Sequence, residues 1–299
     1  MSMVSMELFV ALIQKLPPSV RLIMVGDPDQ LPCIGSGNIL RDLIASGRVP
    51  TVKLQSVFRQ GENSGIAGFA TSLSSHRNLD MALSVIGDSL TDDISLQCAD
   101  RPNDSVVSSV SDIVTNLINV HGVQATDIQI LAPTKECVDR LNLGLRDYLN
   151  YVGSGQVQAS SESLVPGDRV IYCRNDYARG LFNGSTGVVR AVDIQYVTVE
   201  YTGHHIVQHS QNEVNEKRLI RAYALTIHKA QGSEYPVVII PIYESMDRVL
   251  TRNLIYTAVT RSKKKCVLAG SKTALEHALQ RTLENTHCSG LTARLIKDM

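Results

Sequence analysis

Four short segments of this 299-residue chain hold side chains able to do polar chemistry. Gly26-Asp27-Pro28-Asp29-Gln30-Leu31-Pro32 follows an apolar run and supplies two carboxylates and an amide on a proline-stiffened backbone. In open α/β sheets ligands lie beyond the carboxyl ends of strands, where such a loop would sit. Asp, Pro and Gly are also ordinary turn formers, so composition alone leaves a plain β-turn open. Leu54-Gln55-Ser56-Val57-Phe58-Arg59-Gln60 ends in an arginine, which could clamp phosphate oxygens bidentately or simply be solvated. Ala224-Leu225-Thr226-Ile227-His228-Lys229-Ala230-Gln231-Gly232-Ser233-Glu234 packs hydroxyl, imidazole, ammonium, amide, glycine and carboxylate into eleven residues. That density suits a functional loop better than a core element. Tyr256-Thr257-Ala258-Val259-Thr260-Arg261 reads as helix, with Thr257 and Arg261 on one face. Arg252 to Lys272 contains six basic residues and no acidic ones, which suits polyphosphate, nucleic acid or plain solvation.

These segments need a scaffold, and the hydrophobic periodicity predicts an α/β one. Leu8, Leu12 and Leu16, with Val4 and Ala11, sit at helical spacing until Pro17-Pro18 stops them. Arg21 to Gly26, Ile128 to Ala132, Val237 to Pro241 and Cys266 to Gly270 read as buried parallel strands, and Val52 to Leu54 as another strand. Helices are expected at Ile39 to Ser46, Ile66 to Ser75, Ser105 to Val120, Val138 to Leu149 and Thr251 to Arg261, and Asp88 to Asp104 as an acidic surface excursion. The texture changes near Tyr151. Arg169 to Tyr172, Gly187 to Val192, Tyr196 to Tyr201 and His205 to Gln208 read as short strands with an Asn183-Gly184 turn, the pattern of a small antiparallel barrel. The α/β pattern then resumes, so the barrel reads as an insertion.

Composition excludes several classes. Lys plus Arg and Asp plus Glu are 29 each, so no basic arm or acidic tail is present, although a locally basic groove remains open. No run nears the roughly 18 apolar residues of a membrane span, and the first residues lack the charge of a secretory signal. The six cysteines are scattered without a C-x-x-C pair, which predicts a reduced cytoplasmic setting. His204, His205 and His209 lack neighbouring cysteine or paired carboxylate and read as a surface strand, so no metal site is expected.

Taken in order, the four segments resemble motifs III, IV, V and VI of superfamily-one helicases, in the 5′-to-3′ RecD-like branch (the exodeoxyribonuclease V alpha-chain type). Ile130-Leu131-Ala132-Pro133-Thr134 resembles a further DNA-contacting motif, and Ser2-Met3-Val4 the residues after motif II. The resemblance implies a RecA-like parallel-sheet lobe, part of a second lobe, and an inserted SH3-like barrel. It implies that Gln30 senses the γ-phosphate and that Arg59 and Arg261 are arginine fingers. It implies nucleotide contacts from Asp27, Gly232 and Glu234, and a single-stranded DNA track along Pro133, Thr134, Thr226 and His228, with Arg174 and Asn175 at the barrel's opening. The implied cofactors are ATP and Mg²⁺. The implied partners are single-stranded DNA and subunits of a helicase–nuclease complex.

No G-x-x-x-x-G-K-[ST] pattern occurs, nor a D-E pair before Ser2. The chain is therefore expected to be the rear part of a helicase, inactive as an ATPase alone. Its expected divisions are 1–60 for the end of the first lobe, 61–155 with 223–299 for the second, and 156–222 for the barrel. A conjugative relaxase-helicase and a non-catalytic DNA-binding or scaffold module are the alternatives.

Overall fold

The computed structural model describes residues 1–299 apart from 2, 34, 36, 55–63, 75–78, 99–105, 147, 150–162, 282–289 and 298–299. Its larger core is built on a five-stranded parallel sheet whose strands lie in the order 94–98, 262–270, 235–242, 128–132 and 224–226. The strand β2 (Ile128–Ala132) is buried along its whole length, its apolar residues covered on both sheet faces and its one polar residue, Gln129, donating to the Ala222 and Tyr223 carbonyls. It pairs in parallel with β9 (Tyr235–Ile242) and with β8 (Ala224–Thr226). Beyond β9 lie β10 (Ser262–Gly270) and the edge strand β1 (Ile94–Cys98). The buried face of α5 (Val106–Asn119) is Val110, Ile113, Val114 and Leu117, spaced as a helix stripe must be. Thr134 caps α6 (Lys135–Gly144) by accepting a hydrogen bond from the Cys137 amide at 3.2 Å, so the residue ending the β2 loop also starts the helix. Thr251 caps α8 (Arg252–Val259) in the same way through the Leu254 amide.

The second sheet is antiparallel, β6-β5-β4-β3-β7, from β3 (Arg169–Tyr172), β4 (Thr186–Val192), β5 (Tyr196–Tyr201), β6 (His205–Ser210) and β7 (Leu219–Arg221). It has its own core, including Val170, Tyr172, Val189, Val197, Val199 and Leu219. Ser210 and Glu213 form a capping box that starts α7 (Gln211–Asn215) between β6 and β7. At the seam between the sheets Arg169 donates to the Ile128 carbonyl at 2.7 Å and to Gln129 Oε1 at 2.9 Å, while Tyr223 donates to Asp168 at 3.0 Å.

Several expectations need correction. Arg21 to Gly26 and Val52 to Leu54 form no strand: Ile23 is 80% and Val52 88% exposed, because no described strand runs beside either to take up their backbone hydrogen bonds. The helix α1 (Met6–Lys15) does form, capped by Ser5 and ended before Pro17, but it buries no residue. The supposed surface excursion at Asp88 to Asp104 contains β1, whose Ile94 is fully buried against β10. The acidic flanks disguised a strand only five residues long. His209 is not on the surface: its ring is buried, Nε2 lying 2.8 Å from the Tyr201 hydroxyl. The helix α2 (Ile39–Ser46) falls where the periodicity put it, between an Asn38 cap and Gly47, whose φ of +65° ends it in the left-handed region.

Candidate functional site

Motif III packs against motifs V and VI through backbone and side-chain hydrogen bonds that the folded chain alone brings together. The Asp27 carboxylate accepts from the Asp29 amide at 3.0 Å, closing the turn on itself. Its other oxygen accepts from Gln30 Nε2 at 3.1 Å and from the Tyr256 hydroxyl of α8 at 2.8 Å. The Gln30 amide is thereby oriented with its nitrogen toward Asp27, which leaves its carbonyl oxygen as the acceptor on the other side. Burial, then the Asp27 carboxylate, pushes the Tyr256 phenol far above its ordinary range, so it stays a donor. Asn253 donates to the Asp29 carbonyl at 2.9 Å and Gln231 to the Leu31 carbonyl at 2.9 Å. The Leu31 amide donates to Thr257 Oγ1 at 2.8 Å, and Leu31 itself is buried in the main core. The loop, for which composition alone left a plain β-turn open, is therefore clamped at Asp27, Asp29 and Leu31.

Arg261, one turn beyond Thr257, is 4% exposed. Its guanidinium donates from Nε to the Thr257 carbonyl at 3.1 Å, from Nη1 to the Ser233 carbonyl at 3.3 Å and from Nη2 to Thr260 Oγ1 at 3.2 Å. This corrects the expectation of an open basic face in part, since Lys263, Lys264 and Lys272 stay exposed. Arg252 also turns inward, onto the Leu279 carbonyl, and Lys265 onto the Leu90 and Asp92 carbonyls. Burying a guanidinium needs acceptors for its five donors, and for Arg261 two carbonyls and the Thr260 hydroxyl take at least three of them. Gly232 lies beside this group with φ +84°, and a Cβ there would meet nothing nearer than Met3 Sδ at 3.9 Å. Glu234 pairs with Lys263 at 3.2 Å.

The polar row lies at the carboxyl ends of β2 and β8. Ala132 is in register with Thr226, so Pro133 and Thr134 leave one strand where Thr226, Ile227 and His228 leave its neighbour. Thr134 and Thr226 are half-buried and His228 is exposed. Both hydroxyls also accept from backbone amides, of Cys137 and of Lys229. Lys229 Nζ reaches Cys173 Sγ at 3.3 Å, which sets the start of the small sheet's loop beside this row; the next residues, Arg174 and Asn175, are exposed.

Gln30, Asp27, Gly232 and Arg261 are thus brought near the junction of motifs III, V and VI, while Pro133, Thr134, Thr226, His228, Arg174 and Asn175 border a second feature at the strand ends. Arg59 lies outside the described residues. Sequence reasoning missed the roles of Asn253 and Tyr256, although Asn253 lies on α8 one helical turn before Thr257 and Tyr256 stands next to it. Gly232's left-handed backbone and the oriented Gln30 amide are groups a phosphate could approach, whereas the Arg261 guanidinium is buried on protein oxygens and would have to be released to reach one. Asp27 is committed to three donors, so it does not fit a magnesium ligand. No group of three or more His, Cys, Asp or Glu among the described residues fits a metal.

This geometry agrees with what the chain is similar to. Residues 221–269 match the UvrD-like helicase C-terminal domain, and residues 1–88 an AAA domain. The crystal structure of Pif1 helicase from Bacteroides in complex with ADP-AlF3 and ssDNA aligns with a TM-score of 0.55 at 17% identity, over 89% of this chain and 65% of that one. The parallel-sheet part has the RecA-like helicase fold.

Among curated proteins, the ATP-dependent RecD2 DNA helicase of Deinococcus radiodurans is 33% identical over 290 residues, 95% of this chain and 38% of the relative. The RecBCD enzyme subunit RecD of Mycolicibacterium smegmatis is 27% identical, over 98% of this chain and 52% of the relative. A probable conjugal transfer protein TraA of Sinorhizobium fredii is 26% identical over 87% of this chain and 22% of its own. The chain is a homologue of the RecD-type DNA helicases along nearly its whole length, and it spans about half or less of theirs.

Proposed function

We propose that these residues are the rear part of an ATP-dependent DNA helicase that moves 5′-to-3′ on single-stranded DNA in recombination or repair. The observation that carries this reading is the clamp between Asp27–Leu31 and α8. It joins the Gln30 amide and the Arg261 guanidinium to Gln231, in the same run as Thr226 and His228. A change felt at Gln30 on hydrolysis would therefore reach the polar row through hydrogen bonds. In this reading Arg261, with Arg59, stabilises charge on the transferring phosphoryl group, and Gly232 and Glu234 approach the nucleotide. This reading assigns neither magnesium nor the phosphate cradle to these 299 residues, in which no G-x-x-x-x-G-K-[ST] pattern occurs.

The same reading divides the chain at 1–60, 61–155 with 223–299, and 156–222, and takes the antiparallel sheet as an SH3-like barrel. Exposed Ile23, Val25, Val52 and Leu54 then form a face for the rest of the first lobe. Other subunits of a helicase–nuclease complex and a cytoplasmic location belong to this proposal; no described helix is long and apolar enough to cross a membrane. The likeness to TraA supports a second reading, the helicase part of a conjugative relaxase.

A coupled ATPase assay with single-stranded DNA tests the first reading. This chain alone is expected to show no turnover, and a longer chain carrying a P-loop to show DNA-stimulated turnover that Arg261→Ala abolishes. Turnover by this chain that disappears on Arg261→Ala overturns the division of labour proposed here.

A further inference from the structure

Apart from the site above, one loop of the small sheet joins exposed aromatic rings to positive charge. It leaves β3 at Cys173 and returns to β4 after Ser185. Asp176 and Leu181 exchange backbone hydrogen bonds of 2.7 and 2.9 Å, which pinches off a hairpin with Gly180, φ +65°, at its end. Arg179 turns inward and braces it, donating to Asp176 at 2.6 Å, to Glu213 at 2.6 Å and to the Tyr172 hydroxyl at 2.9 Å. Asn175 Oδ1 accepts from the Asn183 amide at 2.8 Å, and Ser185 Oγ from the Phe182 amide at 3.0 Å. This is a rigid loop.

Its two aromatic side chains nevertheless face solvent, Tyr177 77% and Phe182 55% exposed, with ring centroids 6.0 Å apart and planes at 75°. Arg174 is exposed at the loop's start, and Lys229 touches Cys173 beside it. The loop network's acids, Asp176 and Glu213, share Arg179, which offsets only one of their two charges; with Arg174 and Lys229 added, the sum beside the rings is about +1.

We propose that Tyr177 and Phe182 form a stacking platform for the bases of a single strand whose phosphates pass Arg174 and Lys229. Rings fixed on a braced hairpin lose little freedom on binding. Every base offers a π-face, so such a platform tolerates any sequence, as a translocating protein requires. The flanking cations favour a polyanion over an apolar protein surface as occupant. This inference rests on the reading that the strand crosses Thr134 and Thr226.

The test is equilibrium binding of this chain, by fluorescence anisotropy over a salt series, to an oligothymidine of about 15 nucleotides and to an abasic strand of equal length and charge. The expected result is about tenfold tighter binding of oligothymidine. Tyr177→Ala with Phe182→Ala should erase that preference and leave the salt slope unchanged, whereas Arg174→Ala should lower the slope. Tyr177→Leu with Phe182→Leu keeps apolar bulk, and should lose the preference as well. Equal wild-type affinity for both strands, or a preference that survives both double variants, overturns the platform but leaves the strand track standing. Failure to bind either strand at low salt overturns the track and the platform together.

Discussion

Thr257→Val isolates the clamp, because valine nearly matches threonine in shape and removes only the hydroxyl. Thr257 is fully buried, accepts from the Leu31 amide at 2.8 Å and donates to the Asn253 carbonyl at 2.7 Å. The Asn253 carbonyl still has the helix's own i→i+4 donor, so its loss is small. The Leu31 amide, held in the core, has no water to replace the hydroxyl, and leaving a buried donor unserved costs about 1–3 kcal/mol. A mid-range value of about 2 kcal/mol raises the opening equilibrium of the loop roughly 30-fold. Hydrogen–deuterium exchange read by mass spectrometry on a peptide covering residues 27–33 should show that acceleration at the Leu31 amide. A peptide from β2 should be unchanged, which separates local release from general unfolding. Thr257→Ser keeps both hydrogen bonds and should exchange almost as slowly as the wild type. If the valine variant exchanges within about threefold of the wild type, or serine as fast as valine, the hydroxyl is not what holds the loop.

Two further outcomes follow from the buried groups. Burial opposes ionisation of Glu213, but hydrogen bonds from Arg179 and the Ser210 amide outweigh it and hold the carboxyl at about 2, below its ordinary 4.5. Its folded value is lowered, so its stabilisation is present above pH 4.5 and lost as pH falls toward 2. As pH falls, His209, held below its ordinary 6.5 by burial, weakens the fold before Glu213 does; Glu213→Gln should remove the more acid limb of the thermal-melting profile and, because Glu213 raises His209, enlarge the His209 limb. Thiol labelling gives the third: among the described cysteines Cys98 is exposed and should react with a maleimide before the buried ones. Cys137, pushed to about 11 by burial, and Cys266, pushed to about 12, should react only on unfolding, and labelling of either in the native chain would contradict their packing.

Legibility in the sequence followed the range of the interaction that made each element. The largely apolar run of β2 and the Asn38-to-Gly47 punctuation of α2 are local signals, and both elements appear where those signals lie. Arg21 to Gly26 carries the same kind of run and makes no strand, because a strand needs a neighbour that no local pattern reports. The three-residue β8 is too short to show a period, and its register against β2 is what aligns Thr226 with the loop of Thr134.

For the site, side-chain types and their order along the chain were enough to single out Asp27, Gln30, Gly232, Thr226 and Arg261 and to suggest homology to the RecD-type helicases. Helical spacing also put Thr257 and Arg261 on one face. That Arg261 is buried under the Ser233 carbonyl, and that Asn253, Tyr256 and Thr257 grip a loop more than two hundred residues earlier, was decided only by the tertiary structure. Hydrogen bonds over such separations depend on how the strands stack and cross, and one-dimensional patterning does not encode that distance.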